Sequence, residues 1–600
     1  MTAHDARTAP TQSPARRRRV WPWVVAIVCV IVGWYLWRAT SLWYTQPVIA
    51  LDLVGTINDR QPKPGPEGSA LVIYQEAFGD GLKPRSGVGS NALDFAWRAT
   101  VDPAALAGLR QEMAGAAPRL AVLRNLSAHP VLAIPVFHDA SEHPEIAALM
   151  GYPTAEASRP KAPKDSFMRS AIALSISSVQ LSQQAASLLF ADATLATLDG
   201  DIDRAIADLE AAAVAAGHAG ESGFPVAGVI QARTEGWVAT AIVAIVENHA
   251  ETLSDQQLQA LDRLSRRLAT ANDERVLETE RLTMLDMVQR IYSDDGAGNG
   301  ELLPRAMQDF EHAFTWVDPA TKRPPPAPWH QSDAAMFLLT PITNRWRDDR
   351  ASTIRLFDGI LEHAREGLAA PSGEALKKID RRIDQIVELA PKWEQPVINR
   401  LGRGWRMTLL SSRTARLARD SALAAIGIER FRRANTRFPE SLDELNAFVG
   451  MTLGADNPPS NPWRYAVVDG HPLIYDFGWD GIDDGARPTG AWLSQVLGEQ
   501  AAQRMVGAAS ETCGALDGAF DLRTEIDPAM LAATATIQTP APTAVANASL
   551  RSVHTAKQHD NFRAIGDTVW VLWRSGAVGP SRVVRLKPDN GEFDAAREDG

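Results

Sequence analysis

The sequence predicts a mainly α-helical protein: one N-terminal transmembrane helix, a stack of helical hairpins, a small α+β module and a C-terminal β-hairpin region. Three observations predict it. Val20 to Trp37 is an uncharged run of eighteen residues. From Ala70 to Ala434 apolar residues recur at three- and four-residue spacing between short turns. From Asn435 to Pro488 the chain becomes turn-rich and aromatic instead. The implied division is a basic tail (1–19), a membrane helix (20–38), a tether (39–69), a helical domain (70–410), the α+β module (411–490) and a C-terminal region with a linker and a hairpin (491–600).

The apolar run, taken as a helix, is about 27 Å long, enough to cross a hydrocarbon core. Trp21, Trp23, Trp34, Tyr35 and Trp37 mark its two ends, where amphipathic rings favour the headgroup level. Arg16 to Arg19 precede it, and after Arg38 no basic residue follows until Arg60. That asymmetry predicts a cytoplasmic N-terminus with the bulk of the chain across a bacterial inner membrane, in the periplasm. A cleaved signal peptide would need small residues after the apolar run, where this chain has Trp37, Arg38 and Trp43. Cys29 and Cys513 are the two cysteines, so the exported part has no internal disulfide. The formal net charge of −11 includes the basic tail, so the exported part is acidic, and that acidity argues against a nucleic-acid partner.

Gln61 to Ser69 (QPKPGPEGS) opposes regular structure. Met168 to Leu198 predicts a long helix ending at Asp199-Gly200. Asp201 caps the next, with Ile202, Ala205, Ile206, Leu209 and Ala213 on one face. Val226 to Val246 is apolar nearly all round, which predicts burial. Ser254 and Gln257 form a capping box for a helix striped by Leu258, Leu261, Leu264 and Leu268. Arg275 to Ile291 follows, with Leu277, Met284, Val288 and Ile291 on one face. After a rigid break at Arg323 to Trp329 come Asp333 to Leu339, Ala351 to Ala369, Ser372 to Leu389 and Thr408 to Ala434. Pairs of such helices with short turns suggest an arrangement loosely like tetratricopeptide or HEAT arrays, without a strict repeat period.

Within Ala422 to Gly485, a helix closes at Arg437-Phe438-Pro439 and Ser441 with Glu444 opens a short one. Asn461-Pro462-Trp463 turns into Arg464 to Val468, and Asp469-Gly470 makes a hairpin turn into Leu473 to Phe477. Farther on, Gln538 to Asn547 reads as a linker. Thr568 to Trp573 and Arg582 to Leu586 read as a hairpin. The 422–485 stretch resembles the C-terminal half of the type II secretion major pseudopilin. The residues that carry the resemblance are Phe438-Pro439, Pro462-Trp463, Tyr465 and Gly478-Trp479-Asp480-Gly481. Similar segments also end uncharacterised bacterial envelope proteins whose preceding region is helical, and over its whole length the chain resembles those more closely, including at the Asp199-Gly200-Asp201 turn. The resemblance implies a calcium site in the loop Asp480 to Gly485, with Asp480, Asp483 and Asp484 supplying hard oxygen ligands. A solvated acidic turn is the alternative, since Asp-Gly is ordinary turn chemistry. A pilin-type leader and an acidic residue early in the apolar helix are both missing. The chain is therefore expected to stay a fixed anchor and not to polymerise.

Other constellations carry less. His138 to His143 has three residues between His138 and Glu142 where the inverted zinc motif has two, and Pro135 and Pro144 oppose a helix there. Ser158 to Lys161 lies in a proline-rich run, and Gly87-Val88-Gly89 lacks a preceding strand. His218, His249, His312 and His363 fall on or near helices without shared spacing. The tryptophan-rich stretches 316–346 and 393–405 suit core or groove lining. The expected function is a membrane-anchored periplasmic scaffold or partner-binding protein, associated with a secretion system, whose envelope partner the sequence does not name. The alternative is a periplasmic hydrolase with a site built from distant residues, and a pocket with convergent titratable groups would distinguish it.

Overall fold

The computed structural model describes residues 17–79, 103–137, 142–149, 177–268, 273–313, 349–369, 373–390, 397–398, 402, 405–454, 463–468, 471–475, 519–521, 562–565, 568–574, 581–589 and 592–595. Described residues are mainly helical. They fall into two units, 1–524 and 525–600.

Helix α1 (Arg17–Tyr44) contains the apolar run and is long and apolar enough to cross a membrane. At about 1.5 Å per residue it outreaches a ~30 Å hydrocarbon layer. Trp21 to Trp37 is largely exposed, whereas Ala39 and Leu42 are buried against the body. Arg38 makes a 2.5 Å ion pair with Glu301. Beyond the helix, the Ala50 and Leu51 amides donate to Gln289 Oε1 (2.9 and 2.8 Å), and Gln289 Nε2 donates to the Leu51 carbonyl. Helix α2 (Leu53–Arg60) follows, capped by Asp52, with Leu53 and Ile57 buried. The stretch expected as a tether over 39–69 thus holds the end of α1 and all of α2, while residues 45–52 and the Pro/Gly run from Gln61 lie outside helices. Leu53 and Ile57 sit one turn apart, and that short apolar face is held by Val136, Phe224 and Ala227.

The main core is built by α3 (Leu71–Phe78), α4 (Pro103–Leu123), α5 (Pro144–Leu149), α6 (Ser177–Leu198), α7 (Ile202–Gly220), α8 (Pro225–His249) and α9 (Asp255–Arg267). Alanines on α6 and α7 (Ala185, Ala196, Ala205, Ala212) are fully buried, which lets those helices pack side by side. Helix α8 is buried round most of its circumference through Trp237, Val238, Ile242 and Ile245, as its all-round apolar pattern predicts. It is a core helix even though its length and composition suit a membrane span. Both halves of the Ser254–Gln257 box are present on α9. A second core gathers α10 (Asp273–Ile291), α11 (Pro304–Ala313), α12 (Asp349–Leu368) and α13 (Gly373–Leu389).

Helix α14 (Trp405–Asn435) joins these cores. Trp405 and Leu409 belong to the second, Ala418, Ala422 and Ile426 to the first. Leu423, Ala424 and Ile428 enter a third with α15 (Leu442–Val449), Trp463 and Ile474. Arg416 and Arg433 on α14 donate to the Leu368 and Ala250 carbonyls at 2.6 Å, satisfying the open C-terminal ends of α12 and α8. The expected boundary at 410/411 thus runs through one continuous helix. A simple stack makes only neighbour contacts, yet α14 lies along α8, far away in sequence.

The described strands near α15 are β1 (Arg464–Val468), β2 (His471–Tyr475) and β3 (Ala519–Asp521), antiparallel in that order. Val468 pairs with His471 across Asp469 and Gly470, which lie outside the described residues. The expected strand from Leu473 therefore begins two residues earlier. Ser441 caps α15 by accepting from the Glu444 amide, but only half of the expected box forms. The Glu444 carboxylate accepts instead from the Glu440 amide and pairs with Arg437. In the second unit, β4 (Phe562–Ile565), β5 (Thr568–Arg574), β6 (Ser581–Asp589) and β7 (Glu592–Ala595) form an antiparallel meander. The boundary near 524 divides the expected 491–600 region.

Candidate functional site

A cavity of about 300 Å³ opens where α2, α10 and the turn between α7 and α8 converge. Helix α2 contributes Ile57 and Arg60, the turn contributes Ser222, and α10 contributes Glu274, Arg275, Glu278 and Thr279. Gly223 makes the convergence possible. Its φ is +73°, and a Cβ there would lie 2.5 Å from Thr279 Oγ1. Only glycine accepts both that backbone and that approach.

The wall is layered by burial. Ser222 is 2% exposed and Thr279 4%, and the Ser222 hydroxyl has no hydrogen-bond partner. Arg275 is half-buried and donates through Nη2 to the Glu221 carbonyl. Desolvation lowers the pKa of its guanidinium, while Glu221 counteracts this. The rim consists of exposed ion pairs. Arg60 meets Glu278 at 3.2 Å, and Arg365 holds Glu274 through two bonds of 2.9 and 3.0 Å. The hydrogen bond from Arg365 pulls the Glu274 pKa below its usual value. Helix α8 starts beside this turn with Phe224 at its N-cap, which supplies no side-chain acceptor.

Behind the cavity runs a buried polar spine. Glu221 accepts from the Leu132 and Ala133 amides (2.7 and 2.8 Å), and Ala133 has a positive φ of 53°. Burial nevertheless pushes the Glu221 carboxyl up to about 7, against those two bonds. His218 Nε2 lies 2.9 Å from the His129 carbonyl and Nδ1 lies 3.0 Å from Tyr74 Oη. A carbonyl only accepts, so Nε2 carries the proton and Nδ1 accepts from Tyr74. Burial depresses His218 to about 4, so it is neutral at pH 7, and raises Tyr74. Farther along α6 and α7, Arg124 grips Asp208 (2.6 Å) and Asp192 (2.5 Å). Burial pushes Asp208 up to about 8, opposed by Arg124 and reinforced by Asp192. Asp208 is fully buried and Asp192 nearly so, and this cluster ties the turn after α4 to α6 and α7.

The residues expected to hold calcium, Asp480, Asp483 and Asp484, lie outside the described residues. So do His138 to Ser141, Gly87 to Gly89, Ser158 to Lys161 and the tryptophans at 316–346 and 393. Trp405 is buried in the second core. Among the described side chains, His218, His249 and His363 do not converge: His249 bonds the Thr197 carbonyl, and His363 faces Glu366. Among the described residues no cluster of three metal-ligating side chains forms. Sequence reasoning missed Ser222, Arg275 and Thr279. The one local signal was Gly223 followed by Pro225 at a helix start. Nothing in spacing joins that turn to Arg60 or Arg275. Comparison of the chain with known protein families, with curated proteins and with solved structures finds no match.

Proposed function

We propose that the protein is a bacterial inner-membrane scaffold or partner-binding protein, with its N-terminus cytoplasmic and its helical body in the periplasm. The observation that carries this reading is the exit of α1. Arg38, Ala39 and Leu42 are built into the body, and Gln289 clamps the following backbone. Such an anchor supports a retained helix over a cleaved signal peptide, and it presents the body to neighbours at a fixed height. The hairpin-stack character, the pseudopilin-like module and a place beside a secretion system belong to the same proposal. A hydrolase is less supported, because nucleophilic catalysis needs a base within hydrogen-bond reach. Ser222 has no such partner among the described residues.

Alkaline phosphatase fused after Gly600 should be active, and an inactive fusion would overturn the orientation. Crosslinking in intact membranes followed by pull-down should then recover a discrete envelope partner in near-stoichiometric yield. Recovery of this chain alone would remove the scaffold reading.

A further inference from the structure

The cavity between α2, α10 and the α7–α8 turn has the chemistry of an anion pocket with a neutralised mouth. Its deep wall offers donors. The Ser222 hydroxyl is buried and unpartnered, Thr279 is buried beside it, and the Arg275 guanidinium lies alongside. A buried hydroxyl without a partner has given up its hydrogen bond to water, and a ligand acceptor would restore one. The nearby start of α8, uncapped by any side chain, adds a partial positive charge. The carboxylates of the cavity, Glu274 and Glu278, are already held at the rim by Arg365 and Arg60. Arg275, whose charge Glu221 partly offsets, then leaves the interior suited to at most a single negative charge. The rim carboxylates suit an ammonium or amide group just outside it. The volume of about 300 Å³ admits the end of a small ligand and not a folded surface.

We propose that this pocket binds the α-carboxylate of a peptide or free amino acid, with the Ser222 and Thr279 hydroxyls and the Arg275 guanidinium as donors. The inference goes beyond the scaffold reading and stands on the pocket alone. Gly223 has a part in it, since a Cβ there would collide with Thr279 Oγ1 and crowd Arg275.

The test is calorimetric titration of the full chain in nanodiscs with acetyl-Ala-Ala, with its C-terminal amide and with free alanine. The acid should bind at least about tenfold more tightly than the amide, the loss expected for about 1.4 kcal/mol. Ser222→Ala and Thr279→Val should each weaken the acid about fivefold or more, while Glu210→Gln, on α7 outside the cavity, should retain it. Binding of alanine as tight as that of the dipeptide assigns a free amino acid, and binding of the dipeptide alone assigns a peptide terminus. Equal binding of acid and amide, no binding up to millimolar acid, or unchanged affinity in both hydroxyl variants would each overturn the proposal. The acid–amide comparison uses only the wild type, so it stands if a variant fails to fold. If the partner is recovered by crosslinking while the acid does not bind, the pocket proposal falls and the scaffold reading remains.

Discussion

At Glu221 two opposing effects meet on one side chain. Two backbone amides favour the carboxylate, and burial disfavours it more strongly, so the group titrates near 7 instead of 4.5. A raised carboxyl pKa means that the folded state holds the proton more tightly than the unfolded chain. The resulting stability is full below 4.5 and is lost as pH rises through about 7. Glu221→Gln cannot titrate and mimics the protonated carboxyl, which like the amide has one carbonyl acceptor. Thermal unfolding should therefore show wild type losing stability relative to the variant as pH rises from about pH 5 to about pH 8. A wild type that gains on the variant over that range, or a difference independent of pH, would contradict the buried, proton-retaining carboxyl. Asp208 acts in the same direction in both proteins and cancels in the comparison. His218 acts oppositely: its contribution holds above 6.5 and is lost as pH falls through about 4. None of these shifts is legible in sequence. Glu221 and His218 look like ordinary polar residues near a helix end, and residues distant in the chain, the 129–133 backbone and Tyr74 among them, remove water from them.

At the scale of elements, caps and stripes were readable because they are local. Asp201, the Ser254–Gln257 pair and the stripe of α9 each depend on residues within one or two turns. The half-formed box at Ser441 shows the limit. Arg437 and the Glu440 amide claim the Glu444 carboxylate, a competition the four-residue pattern does not contain. Helix α14 shows a second limit. Its apolar residues lie on several faces, so its pattern marks burial without naming the three cores it joins. Gly427 marks its closest approach to α15, where a Cβ would come within 2.5 Å of Val449 Cγ2. Propensity alone makes Gly→Leu in a helix stabilising by up to about 1 kcal/mol. The contact reverses the sign, and Gly427→Leu should destabilise by about 1–3 kcal/mol through overpacking. A melting temperature equal to or above that of wild type would show that α15 is not seated there.

At the scale of the whole molecule, the join between α1 and the body fixes how that helix leaves the helical core. Gln289 is nearly fully buried and satisfies two amides and one carbonyl of the segment leaving α1. Gln289→Ala should raise hydrogen exchange at the Ala50 and Leu51 amides about tenfold, the equivalent of roughly 1.4 kcal/mol of lost protection. Amides in the middle of α8 should not change. Equal exchange in the two proteins would mean that the segment is held by something other than Gln289, and the fixed exit would lose its main support.

The sequence by itself determined the membrane-length helix, the helical class of the body, the α15–β1–β2 order and the caps. Each of these follows from apolar period, turn chemistry or charge bias over fewer than about thirty residues. Only the tertiary structure decided that the apparent tether is pinned to the body and that α14 belongs to three cores. It alone brings Arg60, Ser222, Arg275 and Thr279 around one cavity. The physical reason is the same in every case. Burial, and with it the strength of a charge or the need of a hydroxyl for a partner, is set by residues distant in the chain. Local pattern carries no record of which distant residues those are.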